Sequence, residues 1–429
     1  MTTATATVTA TAVDERPLAA SEVPFAFFGM PVVFTQRLYG RLDLDALAAA
    51  VDDLIALHPV LSARIVPTEE GYVLRLDRSL PAPRLRTDGD IDHVSTRYAP
   101  DTPIFRAVVV REDDSSHRLA LSVNHVICDG VSTLTLLHTL WQSYTARVTG
   151  GTPALPPPTA GLPSPVEEHF RARFTDGQLA DFLAERAAKM RGLAPACIPI
   201  VVEVDDSALD AGAHTRQLRL SAEQAVRLTG AAHASGVTMH ALACGITLRA
   251  VHTQTDSPAE TVTMTCFSAL DLRRRHRPPL PRHHLVMAAC AQHTVVTVGP
   301  DRHPADIGRE VWEQLRAAVT DGTAEKTIAA MPQVMAEAVN APMSVFISNL
   351  VAKTQPLRLP PDLVSGPVDG CAMPQGPVPA VFLTGNEGDD DTADLVITLI
   401  LARGWYTARQ ADDLAGAIER TLDATLSGT

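Results

Sequence analysis

The stretch from Gly150 to Pro165, with Pro156-Pro157-Pro158 at its centre, divides the chain. Each proline fixes φ and lacks a backbone N–H, so neither a regular helix nor a central strand can run through it. The whole sequence is 429 residues long, beyond the roughly 250 to 300 residues over which a single core keeps growing. The break therefore predicts a crossover between two lobes, an N-terminal one over 14–165 and a C-terminal one over 166–429. Residues 1–13 alternate Thr and Ala without a basic or long apolar segment, and read as a flexible tail rather than a secretory signal.

Both sides of the break mix two periods. Leu44, Leu47, Ala48, Val51, Leu54 and Ile55 have helical spacing, with Asp43 near the start and His58-Pro59 at the end. Val60–Val66 and Gly71–Leu76 read as a strand pair, as do Ile104–Arg111 and His117–Asn124 across an acidic, serine-rich turn. After Gly130 the spacing of Leu134, Leu137, Trp141 and Tyr144 is helical again, with Ser132 as the expected N-cap. Beyond the break the pattern predicts helices over Asp176–Met190, Ala222–Ala232, Thr238–Val251 and Ala408–Leu426. It predicts strands at Gln217–Leu220, Thr261–Ala269, His293–Val298, Met343–Val351 and Leu395–Leu401. The fold class is mixed α/β.

Composition narrows the function. With 46% apolar and 20% charged residues the chain is globular. A net charge of −13 argues against nucleic acid or an anionic membrane as partner, since both call for excess Lys and Arg. No run approaches the roughly 18 apolar residues of a membrane span. The six cysteines are scattered without a C-x-x-C pair, which fits reduced thiols in the cytoplasm rather than disulfides or a thiolate zinc site. The histidines lack metal-ligand spacing, so no metal is expected. Glycine-rich nucleotide loops and a G-x-S-x-G elbow are absent from the sequence. A monomer is expected.

The chemistry concentrates in Asn124-His125-Val126-Ile127-Cys128-Asp129-Gly130, where a strand pattern gives way to a helix. A neutral imidazole takes a proton near pH 7 because its ordinary pKa is about 6.5. Asp129 can hold the loop or the ring, and Gly130 allows a sharp turn with its N–H open to a developing oxyanion. Cys128 reads as a small buried apolar residue rather than a nucleophile.

Other segments accompany this loop in order: His58-Pro59-Val60-Leu61-Ser62-Ala63-Arg64, Gly236-Val237-Thr238-Met239-His240-Ala241-Leu242, Asp271-Leu272-Arg273 with Pro278-Pro279, and Ser348-Asn349-Leu350. They resemble the H-P-x-L-x-x-R, G-V-T-x-x-x-L, D-L-R and S-N-x segments of the condensation-domain superfamily, which has a H-H-x-x-x-D-G signature and the chloramphenicol acetyltransferase fold. Its polyketide-associated acyltransferases are the nearest match. Asn124 stands where the signature has its first histidine; the family gives the base role to the second, here His125.

The resemblance implies two chloramphenicol acetyltransferase-like lobes, each of two layers, with a tunnel between them and His125 near its middle. It implies transfer of an acyl group from a coenzyme A or phosphopantetheinyl carrier-protein thioester to a hydroxyl of a specialised metabolite, with no tightly bound cofactor. Asn124, Ser348 and Asn349 would touch substrate. Asp129 would be a structural anion paired with Arg64 or Arg273, and Arg273, Arg274, Arg275 and Arg277 would meet the donor's phosphates or an acidic carrier. Amide formation, and a non-catalytic lobe pair that only binds an acyl carrier or product, remain the alternatives.

Overall fold

The structure, a computed structural model, describes residues 13–89, 91–203, 208, 211–338, 343–353, 357–372, 376–385 and 395–427. Its first half runs through β1 (Val13–Pro17), α1 (Val23–Phe27), β2 (Pro31–Gly40), α2 (Leu44–Leu57), β3 (Arg64–Thr68), β4 (Gly71–Asp77), β5 (Leu85–Arg86), β6 (Phe105–Arg111), β7 (Ser116–Asn124) and α3 (Gly130–Val148). Then come α4 (Val166–Arg171), α5 (Asp176–Met190), β8 (Ala213–Leu220), α6 (Ala222–Ala234), α7 (Met239–His252), β9 (Val262–Asp271) and β10 (Ala289–Val298). The chain ends with α8 (Pro304–Thr320), α9 (Thr323–Ala329), α10 (Met331–Ala338), β11 (Val345–Asn349), β12 (Leu363–Ala372), β13 (Ala380–Gly385), β14 (Leu395–Ala402) and α11 (Ala408–Ser427).

Two expected details differ. Val60–Ser62, read as the opening of a strand, belong to a 3-10 turn over Pro59–Ser62 in which Leu61 N–H reaches the His58 carbonyl. Proline suits the first position of such a turn, where its missing N–H costs nothing. The N-cap of α3 is Asp129, not Ser132: Asp129 Oδ1 accepts Ser132 N–H at 3.0 Å and Ser132 Oγ accepts Asp129 N–H at 3.0 Å. This reciprocal capping box starts the helix three residues before Thr133 and fixes the loop ahead of it.

The first sheet has the order β12-β2-β7-β6-β5, with a smaller β1-β4-β3 sheet beside it. Its core lies under α2 and α3, where fully buried Trp141 donates its indole N–H to Gln36 Oε1 at 2.7 Å. The second sheet, β10-β9-β11-β13-β14-β8, is mixed, because β11 runs parallel to both β9 and β13. Helix α7 lies in the core on one of its faces and crosses α8 backbone to backbone. A Cβ on Gly245 would stand 1.8 Å from the Pro304 carbonyl oxygen, and one on Gly308 would stand 2.3 Å from that of Ala241.

Residues 363–372, in the sequence range assigned to the second lobe, pair with β2 as the edge strand of the first lobe's sheet. The lobes are thus joined by strand exchange as well as by the crossover. The crossover is pinned where Thr159 N–H meets the Leu57 carbonyl at 2.9 Å beside buried His58.

Candidate active site at the seam of the lobes

Strand β7 ends at Asn124, and the next residues leave the sheet in a tight turn. Asn124 Oδ1 accepts Val126 N–H at 3.0 Å, and Ile127 N–H returns to the Asn124 carbonyl at 3.2 Å. His125 N–H donates to the Met30 carbonyl at 2.8 Å. These bonds, with the capping box at Asp129, over-determine the loop and leave the His125 ring half-buried. Nδ1 is the buried nitrogen and makes no well-formed hydrogen bond among the described residues. Burial lowers the pKa of His125 below 6.5; contacts with the backbone at His125 and Cys128 and the nearby Asp129 charge work against that without overcoming it. The ring is neutral at pH 7.

Asp129 sits at the centre of an interlobe network. Its Oδ2 accepts Arg273 Nη1 at 2.6 Å and Ala288 N–H at 3.0 Å. Both side chains are almost fully buried, 2% exposed for Arg273 and 3% for Asp129. Arg273 also donates to the Val286 carbonyl at 3.1 Å and lies 3.3 Å from Asp271, which in turn meets Lys353 at 3.0 Å. Burial alone would raise the Asp129 carboxyl; the Arg273 guanidinium and the backbone donors hold it below the ordinary value. A pair this dry is stabilising only because each oxygen and most N–H groups find partners. Of the two candidate partners for Asp129, the structure selects Arg273. Arg64 instead donates to the Asp101 carbonyl at 2.6 Å.

The remaining expected residues separate. Arg273 cannot meet a donor phosphate, since it is buried and committed to Asp129. Arg275 is tied to buried Glu325 at 2.7 Å and to the Val319 carbonyl at 2.9 Å. Arg274 and Arg277 are exposed, with no ion pair among the described residues. Beside them, between the crossover and residues 276–286, lies a cavity of about 650 Å³ lined in part by His169, His276, His283 and His284. Among the described residues no group of three or more His, Cys, Asp or Glu is arranged to hold a metal.

Ser348 and Asn349 cannot both line one site, because neighbours on a strand face opposite ways. Asn349 lies toward α7: its Nδ2 meets Met239 Sδ at 3.7 Å and its Oδ1 caps the strand by accepting Val351 N–H at 3.0 Å. Ser348, opposite Phe382 in the register, lies on the other face. The next residue, Leu350, explains Gly130: a Cβ there would stand 2.7 Å from Leu350 Cδ1. The missing side chain makes room for the late segment to close over the start of α3. Cys128 is fully buried, and its thiol is pushed far up by that burial, which removes it as a nucleophile near neutral pH.

One residue at the site has no counterpart in the sequence reading. Phe25, on α1, stacks on the His125 ring with centroids 4.4 Å apart and planes 17° apart. Nothing local in Pro24-Phe25-Ala26-Phe27-Phe28 marks it, since its partner lies far along the chain.

Comparison with known proteins agrees with this architecture. Residues 210–399 match the family described as phthiocerol/phthiodiolone dimycocerosyl transferase C-terminus. A phthiocerol/phthiodiolone dimycocerosyl transferase of Mycobacterium sp. (strain JLS) is 29% identical over 160 residues, 37% of this chain and 38% of that protein. One from Mycobacterium ulcerans is 22% identical over 351 residues, 81% of this chain and 83% of its own. The first alignment thus spans well under half of that relative. Among solved structures, polyketide synthase associated protein 5 from Mycobacterium tuberculosis superposes with a TM-score of 0.73 at 21% identity, covering 96% of this chain and 97% of the other. The first condensation domain of the calcium-dependent antibiotic synthetase, in complex with a substrate analogue, gives 0.73 at 16% identity over 96% of both chains. These likenesses show the fold: two condensation-domain lobes.

Proposed function

We propose that this chain, a member of the condensation-domain superfamily with the chloramphenicol acetyltransferase-like fold, is an acyltransferase that moves an acyl group from a thioester to a hydroxyl, with His125 as general base. One observation carries the reading: a half-buried, neutral imidazole at the seam of two lobes, in a loop fixed from both sides. The similarity to proteins named dimycocerosyl transferases supports acyl transfer, and supports ester over amide as the product.

In this mechanism Nδ1 holds the ring proton and Nε2 takes the hydrogen of the acceptor hydroxyl as its oxygen attacks the thioester carbonyl. The C–O bond forms, and the carbonyl electrons pass to an oxyanion. The Gly130 N–H, first in α3, is the donor assigned to that oxyanion. Collapse breaks the C–S bond, and the departing thiolate takes the proton back from the imidazolium. No acyl-enzyme is needed, consistent with the buried, protonated Cys128. Asp129 and Arg273 touch neither reactant; they hold the loop and the second lobe in register, and alignment of two substrates supplies much of the rate. The donor is a coenzyme A or carrier-protein thioester, its phosphates approaching exposed Arg274 and Arg277. A cytoplasmic setting suits such donors.

Incubation of the purified chain with a panel of acyl thioesters, and with alcohol and amine acceptors in parallel, tests this by mass spectrometry. Ester formation with release of free thiol is expected. Thioester binding with no product across the panel would replace the enzyme by a binding protein, the reading that Asn124 in the first signature position favours.

A further inference from the structure

The groups around the proposed base are each held by a well-formed hydrogen bond or ion pair, whereas the imidazole of the base makes only weak contacts with the backbone at His125 and Cys128. A histidine base ordinarily has its far nitrogen bonded to a carboxylate or carbonyl, which fixes the ring plane and the tautomer. Here Nδ1 is buried without a well-formed hydrogen bond, and its polar surroundings are weak contacts with the backbone at His125 and Cys128. The carboxylate four residues on cannot serve, because both oxygens of Asp129 are taken by Ser132, Arg273 and Ala288. What lies against the ring is the face of Phe25, nearly parallel at 4.4 Å.

That face is rigidly placed. Met30 N–H donates to the Phe25 carbonyl at 3.0 Å, and the Met30 carbonyl accepts His125 N–H at 2.8 Å, so two hydrogen bonds couple the backbones of the two rings. Ahead of α1, Glu22 takes two bonds from Arg16, at 2.7 and 2.8 Å, and Ser21 N–H reaches buried Glu167 at 2.6 Å. Phe25 packs against both the first lobe's core and the cluster that contains Phe170 and Val286. Its ring cannot swing away without opening both. Helix α1 carries no charge, its flanking Glu22 is paired, and Asp129 is the one ionised group felt by the imidazole among the described residues.

We propose that Phe25 is a positioning residue for the base: its ring, stacked on the imidazole, fixes the plane of His125 and keeps water from its buried edge, the task a hydrogen-bonded carboxylate performs in other histidine bases. The proposal rests on His125 being the base, and its test separates the two.

The imidazole of His125 is titrated by NMR, with the signal assigned by its loss in His125→Gln, in the full-length wild type, Phe25→Leu, Phe25→Ala and Phe25→Tyr. Phe25→Leu keeps most of the apolar volume without the aromatic face, which guards against a variant that merely fails to fold. With the stack removed, the midpoint rises toward 6.5 in Leu and Ala. The kcat falls by roughly three- to tenfold, the population shift expected for losing one such aromatic pair, while both KM values move less. Phe25→Tyr restores midpoint and rate together. An unmoved midpoint in folded Phe25→Leu and Phe25→Ala overturns the proposal, as does a loss shared equally by kcat and KM. The titration needs no turnover: if the wild type transfers no acyl group while the midpoint still rises in Phe25→Leu and Phe25→Ala, the base reading is refuted and the hold of Phe25 on the ring is not.

Discussion

Replacing Arg273 with Ala tests how the two lobes are joined. The substitution removes the guanidinium 2.6 Å from Asp129 at a place where both side chains are 3% exposed or less. Asp129 keeps the N–H groups of Ser132 and Ala288, and Asp271 keeps Lys353, but the buried carboxylate loses its counter-charge. Breaking a buried pair by deleting one partner costs about 3 to 5 kcal/mol. Unfolding entropy near 2.1 cal/mol/K per residue gives about 0.9 kcal/mol/K for a 429-residue chain, so the Tm should fall by about 3 to 6 °C if the lobes unfold together.

The loss depends on pH in a definite sense. In the wild type the Asp129 carboxyl titrates below its ordinary value, so its contribution is present above the unfolded pKa near 3.9 and is lost as pH falls through the lower folded value. Without Arg273 burial dominates and the folded pKa moves above the unfolded one. The variant's deficit is then full at pH 7.5 and shrinks toward pH 5, where a protonated carboxyl is cheaper to bury. Differential scanning calorimetry of both proteins at the two pH values measures this. A deficit under 1 °C at pH 7.5, or one equal at both pH values, would refute the reasoning.

Two further substitutions probe the loop's surroundings. Gly130→Ala places a methyl 2.7 Å from Leu350 Cδ1 and should cost about 1 to 3 kcal/mol in denaturant unfolding, with part restored by Leu350→Ala in the same chain; equal stability of Gly130→Ala and wild type would show that the late segment yields freely. Arg274→Glu with Arg277→Glu should raise the donor KM several-fold at low salt, less at high salt, and leave kcat nearly unchanged. An unaltered KM removes that loop from the donor's path.

The sequence displays some of this structure and hides the rest for physical reasons. Helices α2, α5 and α11 announce themselves because each buries one face at a regular spacing, and α7 as an apolar run buried on nearly all sides; Asp43 and Thr238 cap α2 and α7 as local chemistry requires. Helix α8 carried a legible signal that went unread, with Pro304 in its first turn and Ile307, Val311, Leu315 and Ala318 along one face. Strand β12 did not: Gly366, Pro367 and Gly370 break its alternation, and its partner β2 lies more than three hundred residues earlier. The loop from Asn124 to Gly130 was visible because its residues are contiguous. Arg273 stood both among the phosphate ligands and, with Arg64, as a possible partner of Asp129, because composition cannot tell a buried arginine from an exposed one; the fold decides for Asp129. Phe25 lacked any local mark for the same reason.

The central claim is that His125 removes the acceptor's proton, and His125→Ala measured by kcat/KM across pH tests it most directly. Wild type should lose activity on the acid side with a midpoint below 6.5, because burial lowers the imidazole's pKa. The variant should fold normally, lose about a hundredfold to ten-thousandfold in kcat/KM, and lack that acid limb. A variant that retains the wild-type rate and the same pH profile would contradict the account.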